Sequence, residues 1–353
     1  VSRAAICRAL PVFVLAGLLA LPTSGTVGTA GSGAARPRPL VWSASVGDPS
    51  IVKVGDRRIV VATGPEVSRA YKDPGKGWRW TGPVLARRPT WARTTGEIWA
   101  ADLARIGDRW VMYYSVPVRG LGPHGRCIGT AVARRALDSF RPVGTRPLVC
   151  PARAKVPRAA DPVLVPGLPR RGAIDPSVYI ERGRPYLLYK TDGVPSSIRL
   201  LPLSASGRNL RRGTNPAQPS TELVRSTGVI ENPVLLRRAG DYYLFTSQGD
   251  FARCSYRQTW RRSTSLTAWG DAAGGLLLSR ARTGGLCGPA GGDILVEGTT
   301  TTIYFHGWVR TGTTTPPGGG FWAWEGRARA IRALYAARLR FPGKIPTVVR
   351  YLG

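Results

Sequence analysis

The chain has 353 residues and carries 51 Lys and Arg against 20 Asp and Glu, a formal net charge of +31. Such a charge invites a nucleic-acid partner, yet the arginines are spread along the whole length, and no zinc-finger spacing, helix-turn-helix pattern or RNP-like aromatic motif accompanies them. A nucleic-acid reader is therefore excluded, and what the charge leaves is a bias toward anionic surfaces such as acidic cell-wall polymers.

At the start, Arg3 and Arg8 precede an apolar run at residues 9–21 and small residues at 23–35, the three-part pattern of a secretory signal. The run is shorter than the roughly 18 residues that span a bilayer, so residues 1–30 read as a cleaved signal peptide with no membrane anchor left behind. Cys7 lies ahead of the apolar run, where lipid attachment does not occur. Residues 31–40 are Gly, Pro, Ala and Arg without periodicity and read as a flexible lead. Residues 41–353 read as one domain. Beyond the signal stand Cys127, Cys150, Cys254 and Cys287, for which an exported chain permits three pairings. Pairing each cysteine with its neighbour in sequence, Cys127–Cys150 and Cys254–Cys287, closes local loops. No Cys-x-x-Cys spacing suggests zinc.

Five segments then read as strand, turn, strand, each with a carboxylate near its front: Asp48-Pro-Ser-Ile-Val, Trp99-Ala-Ala-Asp102, Ile174-Asp175-Pro-Ser-Val, Glu231-Asn-Pro-Val-Leu and Gly292-Asp293-Ile-Leu-Val. Repetition at a spacing of roughly 40–50 residues or more, with β-branched and aromatic runs bounded by Gly-rich turns, is the signature of a propeller. The expected fold is all-β, a five-bladed β-propeller, in which residues at the start of the inner strands converge on the axis. Carboxylates crowded there push their pKa values apart, the condition for one to act as acid and another as base. Two stretches, 152–171 and 309–326, read as insertions between blades. The second carries Phe321, Trp322 and Trp324, suited to stacking on a sugar or to packing over a blade edge. The run 330–341 is the remaining candidate for a strand that closes the ring.

These motifs resemble glycoside hydrolase family 43, five-bladed propellers acting on arabinose- and xylose-containing glycans, over roughly residues 46–341. The resemblance implies Asp48 as general base, Asp175 as the residue that orients the acid and tunes its pKa, and Glu231 as general acid. Inversion would then need the two catalytic groups about 6.5–9.5 Å apart, with a water between base and anomeric carbon. Trp99 resembles the family's second-blade tryptophan and is, with Trp308, a candidate sugar contact. Arg327 or Arg329, with Arg329 preferred, lies where relatives place an arginine that reaches the sugar or the acid. Asp102 is assigned to structure, as are His124 and His306. Arabinan-cleaving members hold a central calcium with help from a histidine that opens the last blade; Gly288-Pro-Ala-Gly-Gly-Asp293 has none, so no cofactor is expected and a central calcium, the alternative, is in doubt.

The expected protein is a secreted, monomeric, inverting glycosidase acting on plant polysaccharides or oligosaccharides, an α-L-arabinofuranosidase or arabinan hydrolase, with β-xylosidase activity next. A carbohydrate-binding propeller without turnover and an invertase-like retaining enzyme stay open as alternatives.

Overall fold

Each hairpin of the sequence grows into a four-stranded antiparallel sheet. The computed structural model describes residues 36–157, 166–215, 218–326 and 329–353; the signal-like segment 1–30 and Arg327 lie outside the described residues. The first blade is β1 (Ser50–Val54), β2 (Arg57–Ala62), β3 (Ser68–Lys72) and β4 (Arg79–Thr81). The second is β5 (Trp99–Ile106), β6 (Arg109–Pro117), β7 (Arg126–Ala133) and β8 (Arg141–Pro142). The third comprises β9 (Gly172–Glu181), β10 (Arg184–Asp192), β11 (Ser196–Pro202) and β12 (Thr221–Ser226). In the fourth are β13 (Ile230–Arg238), β14 (Asp241–Gln248), β15 (Arg257–Ser263) and β16 (Ala273–Leu278). The fifth is β17 (Cys287–Glu297), β18 (Thr300–Arg310), β19 (Ala330–Arg340) and β20 (Thr347–Tyr351). The first strands β1, β5, β9, β13 and β17 touch in turn and close into a ring around a central channel, which is the five-bladed β-propeller expected from the repeats.

Local chemistry explains the hairpins. The pairs Arg182-Gly183 and Ala239-Gly240 both hold positive φ (49° and 77°, 48° and 85°), the primed turn geometry whose twist matches that of the strands it joins. Middle strands are buried on both faces, so β6 reads as a nearly unbroken apolar run rather than an alternating one. Leu187 and Tyr189 pack toward the second blade with Ile106, Val111 and Tyr113. Leu188, pointing the other way, packs toward the fourth with Ile230, Leu235 and Leu244. Similar wedges fill the remaining gaps between blades, each fully buried aliphatic or aromatic side chain contributing about 1.5–3 kcal/mol.

The run at 330–341 does form a strand, β19, but as the third strand of its own blade and not as a partner of the first hairpin. Closure comes from the other end of the domain. Leu40 N–H donates to the Leu334 carbonyl and Val46 N–H to that of Arg332, both at 2.7 Å. The reason is an accounting of backbone groups: β20 pairs only with the Ala337–Arg340 end of β19, leaving carbonyls 332 and 334 for the N-terminal lead. Both disulfides pair as expected, Cys127–Cys150 within the second blade and its trailing loop, Cys254–Cys287 from the fourth blade to the fifth. Of the first insertion, residues 158–165 lie outside the described residues. The second ends in the short helix α1 (Ala323–Gly326).

Candidate active site

One backbone device recurs in every blade. Asp48, Ala100, Asp175, Asn232 and Gly291 all have positive φ, between 44° and 62°. Across these residues the pairing slips: Glu231 faces Ser247 but Val234 faces Phe245, and the second, third and fifth blades repeat the slip. Two inner-strand residues thus oppose one, a β-bulge that bends the strand and re-aims its side chains. Asp, Asn and Gly suit the left-handed position better than most residues. The bulge also revises the repeat. Asp48 and Asp175 occupy the bulge position itself, Glu231 stands one residue before it, and Asp102 and Asp293 two after. The five acids therefore fall on different levels of the channel rather than in one ring.

The upper level opens into a cavity of about 1120 Å³ lined by Asp48, Asp175, Glu231, Trp99, Trp308 and Arg332, among others. Asp48 is the most heavily hydrogen-bonded of the acids. One oxygen accepts from Thr63 Oγ1 and Arg332 Nη1, each at 2.8 Å, and the other from Asn232 Nδ2 at 3.1 Å. Burial pushes its pKa up, but the Arg332 guanidinium and these hydrogen bonds outweigh burial and hold Asp48 below the ordinary aspartate value. Its backbone N–H donates to His306 Nδ1 at 3.0 Å. Burial drops the His306 pKa to about 3, so this ring is neutral in ordinary buffers and its 3.7 Å approach to Asp48 is no ion pair.

Asp175 and Glu231 sit in opposite surroundings to Asp48. Asp175 is raised well above the usual range, first by burial and then by the charge of Glu231, with Lys190 opposing. It accepts the Asn232 backbone N–H at 3.1 Å. Glu231 accepts from Lys190 Nζ at 2.7 Å and from Tyr256 O–H at 2.8 Å. Tyr256 also donates toward Asn232 Oδ1 at 3.4 Å, and Asn232 in turn donates to Asp48. Two side chains therefore stand between the carboxylates of Asp48 and Glu231.

The aromatic candidates divide by surroundings. Trp99 lines the cavity with the Arg126 guanidinium over its ring at 3.0 Å. Trp308 lines it too, but is largely buried against Phe321, and its indole N–H donates to the Phe251 carbonyl at 2.8 Å. Trp324 is 46% exposed and faces the same cavity beside Phe251. Trp322 instead lies under the Arg253 guanidinium. Among the described residues the arginine of the last blade that enters the site is Arg332, whereas Arg329 is exposed at the turn before β19 and is absent from the cavity wall. Lys190, Tyr256, His306, Thr63 and Arg332 are the contacts of the acids that the motifs did not reveal.

The profile of the family described as Glycosyl hydrolases family 43 matches residues 38–319. The chain belongs to glycosyl hydrolase family 43. A relative is the extracellular exo-α-(1→5)-L-arabinofuranosidase ArbA of Cellvibrio japonicus (strain Ueda107), 24% identical over 318 residues, 83% of this chain and 79% of that protein. Solved structures share the fold. A thermostable family 43 glycoside hydrolase superposes with a TM-score of 0.65 at 19% identity, covering 87% of this chain and 93% of its own. The α-L-arabinanase of Cellvibrio cellulosa in complex with arabinohexaose gives 0.60 at 20% identity, covering 87% and 96%.

In this family 43 glycoside hydrolase the lower level of the channel holds a second, small pocket of about 30 Å³, which Asp102 and Asp293 line together with Asp48, Asp175 and Asn232. Asp102 accepts from Ser50 Oγ at 2.7 Å and from Val178 N–H at 2.8 Å, and Asp293 accepts from Ile51 N–H at 2.7 Å. Burial and then the neighbouring Asp293 push Asp102 up to about 8, and burial pushes Asp293 to about 6. Asp102, on β5, thereby links the first blade through Ser50 to the third through Val178.

Proposed function

We propose that this family 43 enzyme is a secreted, inverting hydrolase of arabinan or arabino-oligosaccharides, with Glu231 as general acid, Asp48 as general base and Asp175 as the residue that tunes the acid. The observation that carries the reading is the split in environment. Asp48 is held ionised by Arg332, Thr63 and Asn232, while Asp175 beside Glu231 is pushed toward its neutral form. An ionised carboxylate on one wall draws a proton from water; on the other wall Glu231 gives a proton to the leaving oxygen as the glycosidic bond breaks. A neutral Asp175 withholds a second negative charge from the neighbourhood of Glu231, and an ionised Glu231 keeps it neutral in turn. Arabinose is favoured as the sugar by the names of the relatives, an arabinofuranosidase and an arabinanase holding arabinohexaose. At about 1120 Å³ the cavity exceeds the roughly 300–1,000 Å³ of a usual ligand pocket, giving room for more than one sugar. Trp99 and Trp308 are the platforms we assign on its wall. Export is supported by the two disulfides, which persist in oxidising compartments.

No metal is assigned a part. His306 Nδ1 accepts the Asp48 N–H, so the neutral ring carries its proton on Nε2, a buried atom with no protein partner. A protonated nitrogen does not fit direct ligation of a cation. Among the described residues no three His, Cys, Asp or Glu side chains gather as a cation cage.

The test is sugar release from arabinan, arabinoxylan, aryl α-L-arabinofuranosides and aryl β-D-xylosides by the mature protein beside Glu231→Ala and Asp48→Ala. Arabinose release from the wild type, lost in Asp48→Ala on every substrate and in Glu231→Ala on the glycans, supports the reading. Xylose release alone would move the substrate to xylosides, and no release by a folded protein that still binds the glycan would make it a binding propeller.

A further inference from the structure

Lys190 is a buried cation that the reaction above leaves without a part. It stands on β10 opposite Ile174, the residue before Asp175, and its side chain is only 6% exposed. From the third blade it crosses to the fourth and donates to Glu231 Oε2 at 2.7 Å. Tyr256 donates to the other oxygen. Both oxygens of the acid thus face donors, the arrangement of an ionised carboxylate and not of one about to give a proton. A second acceptor lies within reach of the ammonium: Asp192 Oδ1, 3.7 Å from Nζ, on the same strand and on the wall of the same cavity. Burial would lower the Lys190 pKa, but Glu231, Asp175 and Asp192 together raise it, so the charge is permanent in ordinary buffers.

We propose that Lys190 is a positioning residue that controls when Glu231 carries its proton, holding the carboxylate in the empty site and turning to Asp192 when a glycosidic oxygen takes its place at Oε2. The proposal rests on Glu231 being the general acid. In the empty site Lys190 and Tyr256 occupy both oxygens of Glu231. A substrate oxygen at Oε2 displaces the ammonium to Asp192, and Glu231 then takes a proton from solvent and passes it to that oxygen as the bond to the anomeric carbon breaks. The acid is thereby loaded against substrate and not against water. The charged and titratable groups facing Glu231 are Lys190 and Asp192 on β10, Asp175 on β9, and Tyr256 ahead of β15. Asp48 lies beyond Asn232, paired with Arg332 of β19 and beside the neutral His306 of β18.

Two readouts test it. The first is the pH dependence of kcat/KM on arabino-oligosaccharides, whose poor leaving groups need the acid, for wild type, Lys190→Met, Lys190→Arg and Asp192→Asn. The second, independent of turnover, is a ¹³C carboxyl titration of glutamate-labelled protein, with the Glu231 signal assigned by Glu231→Gln. Removing a cation at this distance is expected to raise the acid's titration by about one unit or more in Lys190→Met. Lys190→Arg should stay near wild type, and Asp192→Asn, which takes away the alternative partner, should move it down. A Glu231 titration and a basic limb unmoved in Lys190→Met, in protein that melts like wild type, would reduce Lys190 to packing and overturn the proposal. Asp192→Asn moving in the same direction as Lys190→Met would overturn the swing. A wild type that titrates as described but releases no sugar would sink the hydrolase reading instead. If Lys190→Met does not fold, Asp192→Asn decides: a downward shift beside an unmoved Lys190→Arg supports the swing, and no shift or an upward one overturns it.

Discussion

Gly47 is pressed against the cation that holds the base. A Cβ placed there would lie 2.0 Å from Arg332 Cζ and 2.1 Å from Nη2, far inside contact distance. The atoms in its way are the end of a flexible side chain, and φ at Gly47 lies outside the left-handed range, so Gly47→Ala is expected to fold and to push the guanidinium off Asp48. An opposite charge at this range lowers a carboxylate by about 1–3 units. The two side chains are 11% and 14% exposed, so solvent screens the pair only in part and a rise of about 1–2 units in Asp48 follows from its loss. The base must be ionised to work, and kcat/KM on the acidic side follows its ionised fraction. Below both pKa values Gly47→Ala should therefore lose about 10- to 100-fold in kcat/KM, while near neutrality this loss disappears. Arg332→Met should shift the acidic limb in the same direction, with an added pH-independent loss wherever Arg332 also touches the sugar. The assay is a pH series with an aryl α-L-arabinofuranoside, with circular dichroism at each pH to show that the variants are folded. An acidic limb unmoved in both variants would refute the idea that Arg332 keeps Asp48 ionised.

Glu231→Ala should slow hydrolysis of arabino-oligosaccharides by about 10²–10⁴-fold, yet spare substrates with nitrophenolate leaving groups, which need no acid; equal losses on both would point to a role other than proton donation. Asp102 and Asp293, at about 8 and 6 in the fold against 3.8 as the ordinary value, bind more protons folded than unfolded, so their contribution is fully present below about pH 4 and is lost as pH rises through about 8. Thermal midpoints should thus fall from pH 6 to pH 9, and Asp102→Asn should flatten that slope; an equally steep slope in the variant would contradict the assignment. Replacing Cys254 and Cys287 by Ala opens a loop of sequence separation 33 and should cost about 3 kcal/mol, read as a lowered midpoint in thermal or denaturant unfolding.

Much of this was legible in the residues. The five hairpins, their turns and the acids Asp48, Asp175 and Glu231 announce themselves locally, because each motif is a contiguous run. The disulfide pairs also lie near each other in sequence. Less visible was the bulge, since positive φ at Asp48, Asp175 and Asn232 is a backbone choice that those residue types merely permit. Without it the acids seem to share one level. Arg332 had a signal that spacing alone missed. Along β19, Leu334 and Ala336 pack toward the first blade and Ala333, Tyr335 and Ala337 toward the fourth, so two-residue alternation puts Arg332 on the side of Asp48. Lys190 follows the same rule, sharing the face of Leu188 that looks toward the fourth blade and Glu231. Tyr256 and His306 meet their acids only through contacts between distant segments. Ring stacking between those two, at 5.8 Å and 14°, has no sequence pattern at all.

The anomeric configuration of the first product, followed by proton NMR during the early turnover of an arabino-oligosaccharide, tests the roles of Asp48 and Glu231 most directly. A water activated by Asp48 on the face opposite Glu231 predicts that the released arabinofuranose appears first as the β anomer and then mutarotates. Initial release as the α anomer would mean a covalent intermediate on one carboxylate and would contradict the inverting assignment.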